Sequence, residues 1–162
     1  METIEEQLEH PKETVQRYLQ RVNQFYDNVY DWLQEYPDIT IVKTPFERSE
    51  MGIGDYTTEK LSIFTKDDLG DDVKVDIMPG GANVIMTEGT IEIEVWRREY
   101  LAYMSIGGPT RIEPTTGIEQ PIFQGINAPG WYWINSNDDD HLYRIDKPLL
   151  LNLISQMTDH VF

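Results

Sequence analysis

From residue 12 to residue 36 the apolar side chains recur at helical spacing, and at residue 39 the spacing changes to every second residue. Val15, Val22, Val29 and Tyr36 stand seven apart. Leu19, Tyr26 and Leu33 follow each valine by four, and Tyr18, Phe25 and Trp32 by three. This pattern lays one broad apolar stripe along about seven helical turns. Pro11 suits a first turn, where its missing N–H costs nothing, and Pro37-Asp38 ends the run. The stripe is wide and aromatic, not a narrow Leu/Ile seam, so it predicts a helix packed on a core instead of an exposed coiled coil. Ahead of it, Thr3 and Glu6 have capping-box spacing in an acidic segment, 1–10, that either opens a short helix or frays.

After the change of period the chain reads as strands. Ile39, Ile41 and Lys43 start the first, which Pro45 is expected to end. Residues 46–59 fit either a loop or an irregular strand with glycine bulges. Leu61 and Ile63 alternate, the acidic turn Asp67–Asp72 follows, and Val73, Val75 and Ile77 alternate again before a turn at Pro79-Gly80-Gly81.

The next stretch is read as a three-stranded antiparallel meander. Two-residue turns at Glu88-Gly89 and Arg97-Arg98 put Val84, Met86, Ile91, Ile93, Val95, Tyr100, Ala102 and Met104 on one face. Ile85, Glu92, Glu94, Trp96, Glu99, Leu101 and Tyr103 fall on the other, a mixed face with acids among aromatics. Residues 107–130, rich in Pro and Gly, read as one long loop. A strand at 131–134, a polar turn at 135–140, a strand at 142–145 and a helix opened by Pro148 complete the chain. That helix carries Leu150, Leu151, Ile154 and Met157 on its apolar side. The expected fold is α+β: a long N-terminal amphipathic helix, an antiparallel meander of six to eight strands, and a short C-terminal helix on the sheet. We read residues 1–162 as a single domain. A chain of this length can bury roughly 70% of its unfolded surface, so one core is sufficient.

Charge narrows the function. The chain has 29 acids against 13 bases, a net of −16, with no cysteine and three histidines. Phosphate neutralisation needs clustered Lys and Arg, so nucleic acid is not expected as a partner. Acidity likewise disfavours anionic membranes, and no apolar run approaches a membrane span. The acidic N-terminus lacks the basic start of a secretory signal, and the absence of cysteine fits a reducing compartment; cytoplasmic is the expected location. The acids are uneven. Eleven of the 29 fall in 1–9, 67–72 and 138–140, while the long helix, with three bases and four acids, is nearly neutral.

Chemistry-bearing groups are sparse. Asn135, Asn137 and Asp139 have the 1-3-5 spacing of a calcium loop, with Asp146 at position twelve, but Asp140 stands where the sharp turn needs Gly. A plain hairpin turn is expected there, and no metal. Glu92 and Glu94, with Asp76, form a carboxylate group on one sheet face, with alternate side chains about 7 Å apart, a spacing also used by glycosidases. A strand with one wet face produces the same pattern. His10, His141 and His160 form no ligand set, Gly52-Ile53-Gly54 lacks the rest of a phosphate loop, and no serine has a nucleophile-elbow context. In Trp131-Tyr132-Trp133 alternation sends the tryptophans to one face and the tyrosine to the other, without deciding which is buried.

These readings point to a non-catalytic acidic protein with no cofactor. It would engage a basic protein partner through carboxylates and aromatic anchors, in the manner of an inhibitor, an immunity protein or a chaperone. The partner-binding candidates are Glu92, Glu94, Trp96, Trp131, Trp133, Asp138, Asp139 and Asp140. The helix–meander–helix order resembles that of acidic secretion chaperones. Those carry a helix where this chain has the Pro/Gly-rich stretch 107–130, so no residue role is carried over. Two alternatives use the same residues differently: a small metal-dependent hydrolase built on surface carboxylates, and a structural subunit that homodimerises through the exposed part of the 15–36 stripe.

Overall fold

A computed structural model describes residues 10–135 and 140–162. The acidic segment 1–9, with its Thr3–Glu6 capping box, and the candidates Asp138 and Asp139 lie outside the described residues. Helix α1 runs over Pro11–Leu33 with the proline in its first turn. It buries Tyr18, Val22, Phe25, Tyr26, Val29 and Leu33, the stripe read from the sequence. It stops at Leu33, one turn earlier than the periodicity suggests. Tyr36 sits beyond it in a turn and packs edge-on against Phe162, ring centroids 5.1 Å apart.

Seven strands form one antiparallel sheet in the order β1 (Thr40–Glu50), β2 (Gly54–Lys66), β3 (Asp72–Gly81), β4 (Thr90–Glu94), β5 (Arg98–Met104), β8 (Gly130–Ile134) and β9 (Tyr143–Arg144). A separate hairpin, β6 (Thr110–Ile112) with β7 (Glu119–Pro121), fills the Pro/Gly-rich excursion. Helix α2 covers Lys147–Thr158; Asp146 caps it by accepting the Leu149 N–H at 2.9 Å. Both helices lie on one sheet face, where Leu61, Ile63, Val75, Ile77, Ile91, Ile93 and Leu101 meet the apolar sides of α1 and α2. The opposite, outer face carries a smaller core of Ala102, Met104 and Tyr132, closed by Ile126 and Leu142 from the long excursion. No described helix is long and apolar enough to cross a membrane.

Several local expectations are corrected. Pro45 does not end β1, which continues to Glu50. Because β1 is an edge strand, it tolerates a residue with no N–H to donate. The ambiguous 46–59 stretch is therefore the β1–β2 hairpin, turning at 51–53. Pro79-Gly80-Gly81 is not a turn but the irregular end of β3, where the pairing with β4 shifts register. Val84–Met86 is not a strand. Residues 82–89 form one connection, pinned where the Glu50 carboxylate accepts the backbone N–H of Ala82 at 2.9 Å and Asn83 at 3.2 Å. Tyr56 donates its hydroxyl to the same carboxylate, and Arg48 donates to the Gly80 carbonyl.

The β4–β5 turn is the largest correction. It holds three residues, 95–97, and pairs Glu94 with Arg98 and Ile93 with Glu99. A two-residue turn at Arg97-Arg98 would have paired Ile93 with Ala102. The difference is odd, so every β5 side chain changes face. Leu101 joins Ile91 and Ile93 under the helices, while Tyr100, Ala102 and Met104 go to the outer face.

Candidate functional site

Cross-strand pairing places Asp76 opposite Glu94 and puts Glu92 on the same outer face, as the alternation suggests. The three carboxylates are not a free acidic group. Arg98 Nε lies 2.5 Å from Glu94 and its NH1 3.8 Å from Glu92, while Lys74 is 3.5 Å from Asp76 and Ser62 donates to Asp76 at 2.6 Å. The hydrogen bond to Glu94, with the charge of Glu92 next, raises the Arg98 pKa further above its ordinary value. Three acids against two bases leave this row close to neutral, and an attracted cation would have to displace Arg98.

The tryptophans separate. Both faces of β8 are covered, because the strand has helices on one side and the excursion between β5 and β8 on the other. Trp131 is only 7% exposed; it packs on Tyr18, Phe25 and Tyr103 and donates its indole N–H to the Arg21 carbonyl at 3.1 Å. It is a core residue and not an accessible anchor. Trp133 is half-buried and donates to Glu99 at 3.0 Å. Tyr132 is fully buried on the opposite side, in the smaller core. Asp140 is exposed, and its carbonyl accepts the Gln124 N–H at 2.6 Å, which ties the turn to the long excursion. Trp96 alone among the tryptophans stands out, 75% exposed on the β4–β5 turn, with its indole N–H on the Met157 carbonyl at 3.0 Å. It thereby serves one of the carbonyls that the end of α2 leaves without a helical partner.

That end of the sheet is where acidity gathers. The β2–β3 and β4–β5 turns project from the same end of the meander, and the tail after α2 crosses it. His160 fixes the crossing: its Nδ1 lies 2.6 Å from the Lys66 carbonyl and 3.0 Å from Thr65 Oγ1. A carbonyl can only accept, so Nδ1 carries the hydrogen. Asp38, Lys66, Asp67, Asp68 and His160 line a hollow of about 500 Å³, with Asp71, Asp72 and Asp159 next to them in the chain. Asp67 is committed to the turn, accepting the N–H groups of Leu69 and Asp71 at 2.9 Å each. Asp72 pairs with Lys66 at 2.6 Å; that hydrogen bond lowers the Asp72 pKa and raises that of Lys66. The carboxylates of Asp38, Asp68, Asp71 and Asp159 make no hydrogen bond or ion pair among the described residues. Between them stand Leu69, 82% exposed, and Val161, 73% exposed.

The sequence singled out Trp96 and the 67–72 turn separately but missed Asp38, Asp159 and Val161. These come from two segments, before β1 and after α2, that only the tertiary fold brings to the 67–72 turn, so no spacing in the chain could have signalled them. Among the described residues no group of three or more His, Asp or Glu side chains is placed to hold a metal ion. Comparison of the chain with family models, with curated proteins and with solved structures finds no match.

Proposed function

We propose that the protein is a non-catalytic binding protein of the cytoplasm that engages a basic protein partner through the acidic end of its sheet. One observation carries the reading: four carboxylates that make no hydrogen bond or ion pair among the described residues, those of Asp38, Asp68, Asp71 and Asp159, stand in or next to a hollow edged by exposed apolar side chains at one end of the sheet. A solvated acidic turn by itself would serve solubility. Acids beside two exposed aliphatic side chains, with an exposed indole on the β4–β5 turn at the same end of the sheet, supply both parts of a docking site: charge to steer a cationic partner and an anchor to hold it. The carboxylates of Asp76, Glu92 and Glu94 have no such role, because Lys74 and Arg98 already occupy them.

Affinity capture from a cell extract tests this, with the wild type beside D38N/D68N/D71N/D159N. The variant leaves Asp67, which builds the turn, in place, and Asn tolerates the left-handed conformation of residue 159. The expected partner is basic, is retained at about 50 mM salt, is released by about 300 mM as screening shortens the field, and is lost from both the variant and W96A. Capture that survives high salt, or is equal for the variant, would remove the reading.

A further inference from the structure

We propose that the cleft between α1 and the corner where β8, β9 and α2 meet binds a small planar ring bearing a carboxylate or phosphate. The site shares no residue with the acidic end and does not depend on its function. The cleft encloses about 550 Å³, room for a ligand of mononucleotide size. Its walls bring together Arg21, Trp32, Trp131 and Arg144, with Gln24 and Asn28 along the α1 side.

The two guanidinium groups define the chemistry. In a chain with 29 acids and 13 bases an arginine has a surplus of carboxylates to pair with. The Arg144 guanidinium nevertheless makes no hydrogen bond or ion pair among the described residues. It lies across Gly130, where a Cβ would come within 3.1 Å of its Nε, so the absent side chain makes the room it occupies. Arg21 is held in place without being used up. Its guanidinium carbon sits 3.9 Å over the Tyr103 ring, and its nearest carboxylate, Glu88, is a long 3.5 Å away. Guanidinium N–H pairs match the geometry of a carboxylate or phosphate.

The one carboxylate lining the cleft among the described residues, Asp146, does not cancel this field. It accepts the Leu149 N–H as the cap of α2, so its charge faces the positive end of that helix. At physiological salt the Debye length is about 8 Å, which screens the more distant acids. The ring half of the ligand is assigned by Trp32, the half-buried indole in the wall of the cleft, while the buried Trp131 presents only its edge there. The hydrogen bond from the Trp131 indole to the Arg21 carbonyl ties α1, which carries both Trp32 and Arg21, to β8, so a ring and an anion entering together would meet surfaces already set relative to each other.

Titration followed by the indole N–H resonances of Trp131 and Trp32 tests the proposal, using adenosine 5′-monophosphate and 4-hydroxybenzoate as probes, with adenosine and inorganic phosphate as the halves of the first and phenol and acetate as those of the second. At least one of the two complete probes should shift the Trp131 resonance saturably and bind at least about tenfold more tightly than either half, a difference of about 1.4 kcal/mol. The tighter of the two identifies the anion. R144Q changes an exposed side chain and should weaken that binding by about tenfold or more with the melting temperature unchanged; R21Q should weaken it as well. No saturable shift with either probe, equal affinity for one of the binding probe's own halves, or unchanged affinity in R144Q each overturns the proposal.

Discussion

At the scale of single residues, the contact between α1 and the sheet is most tightly drawn at Gly89. A Cβ at this position would lie 2.3 Å from Cδ1 and 2.5 Å from Cε1 of Tyr18, and the backbone φ is +115°. The Tyr18 ring cannot swing aside freely, because its hydroxyl donates to the Thr90 carbonyl at 2.5 Å and accepts the Gly81 N–H at 3.3 Å. G89A therefore combines overpacking with a conformation that side-chain-bearing residues avoid, and should cost about 3 kcal/mol. In a domain of this size that lowers the melting temperature by roughly 6–12 °C. G117A is the control: φ is +69°, but nothing lies within 4 Å of its Cβ, so only backbone strain of about 1 kcal/mol is expected. If calorimetry shows G89A melting no lower than G117A, the ring yields and the contact is looser than its geometry implies.

At the scale of elements, α2 rests on its cap. Among the described residues Asp146 is the one side chain that holds one of its first N–H groups, and Pro148 removes another donor at no cost. D146A should cost about 1 kcal/mol, visible as a melting temperature lower by roughly 2–4 °C, whereas D146N should retain most of the stability. Equal losses in both variants would mean that charge, and not the cap, is what matters. Helices such as these were legible because their signals are redundant: ten apolar positions specify the α1 stripe, and losing Tyr36 from it changes nothing. The acidic turn at 67–72 was legible for the same reason, with Gly70 and four aspartates all favouring a turn. Strand register has no such redundancy. Arg97-Arg98 was an equally plausible hairpin turn on local chemistry, yet a three-residue turn at 95–97 inverts β5. The inversion is tolerated because β5 is apolar on both sides: Leu101 faces the helices, and Ala102 and Met104 face the smaller core. Alternation cannot report a burial side where both sides are buried, which is also why Trp131-Tyr132-Trp133 stayed undecided. The acidic end was illegible for another reason, since Asp38, Asp68 and Asp159 belong to segments joined only by folding.

At the scale of the whole molecule, the long helix and the sheet are latched by two phenols. Tyr18 reaches Thr90 and Gly81, and the Tyr26 hydroxyl lies 2.9 Å from the Glu59 carbonyl and 3.2 Å from that of Ile77. Both rings are fully buried, and desolvation, before any neighbouring charge, pushes their pKa values well above the usual 10.0. The neutral phenol is the form the folded state accommodates. Below pH 10 both folded and unfolded chains hold these protons, and the shifts leave stability independent of pH. Above pH 10 the unfolded chain releases them while the folded chain keeps them, so the unfolded state binds fewer protons and stability falls as pH rises. Each phenol contributes a slope of about 1.4 kcal/mol per pH unit until its folded-state pKa is reached. Two together give about 2.7 kcal/mol per unit, enough to exhaust an ordinary stability of about 5–15 kcal/mol within a few units. Denaturant midpoints should therefore be flat from pH 8 to about 9.5 and fall steeply beyond it, with α1 and the sheet lost in one transition. Y18F/Y26F is expected to be less stable at neutral pH, having lost the latching hydrogen bonds, yet to show a shallower alkaline decline. A double variant that declines as steeply as the wild type would place the alkaline limit elsewhere, in the general repulsion of a chain already carrying −16, and would remove the two phenols as its cause.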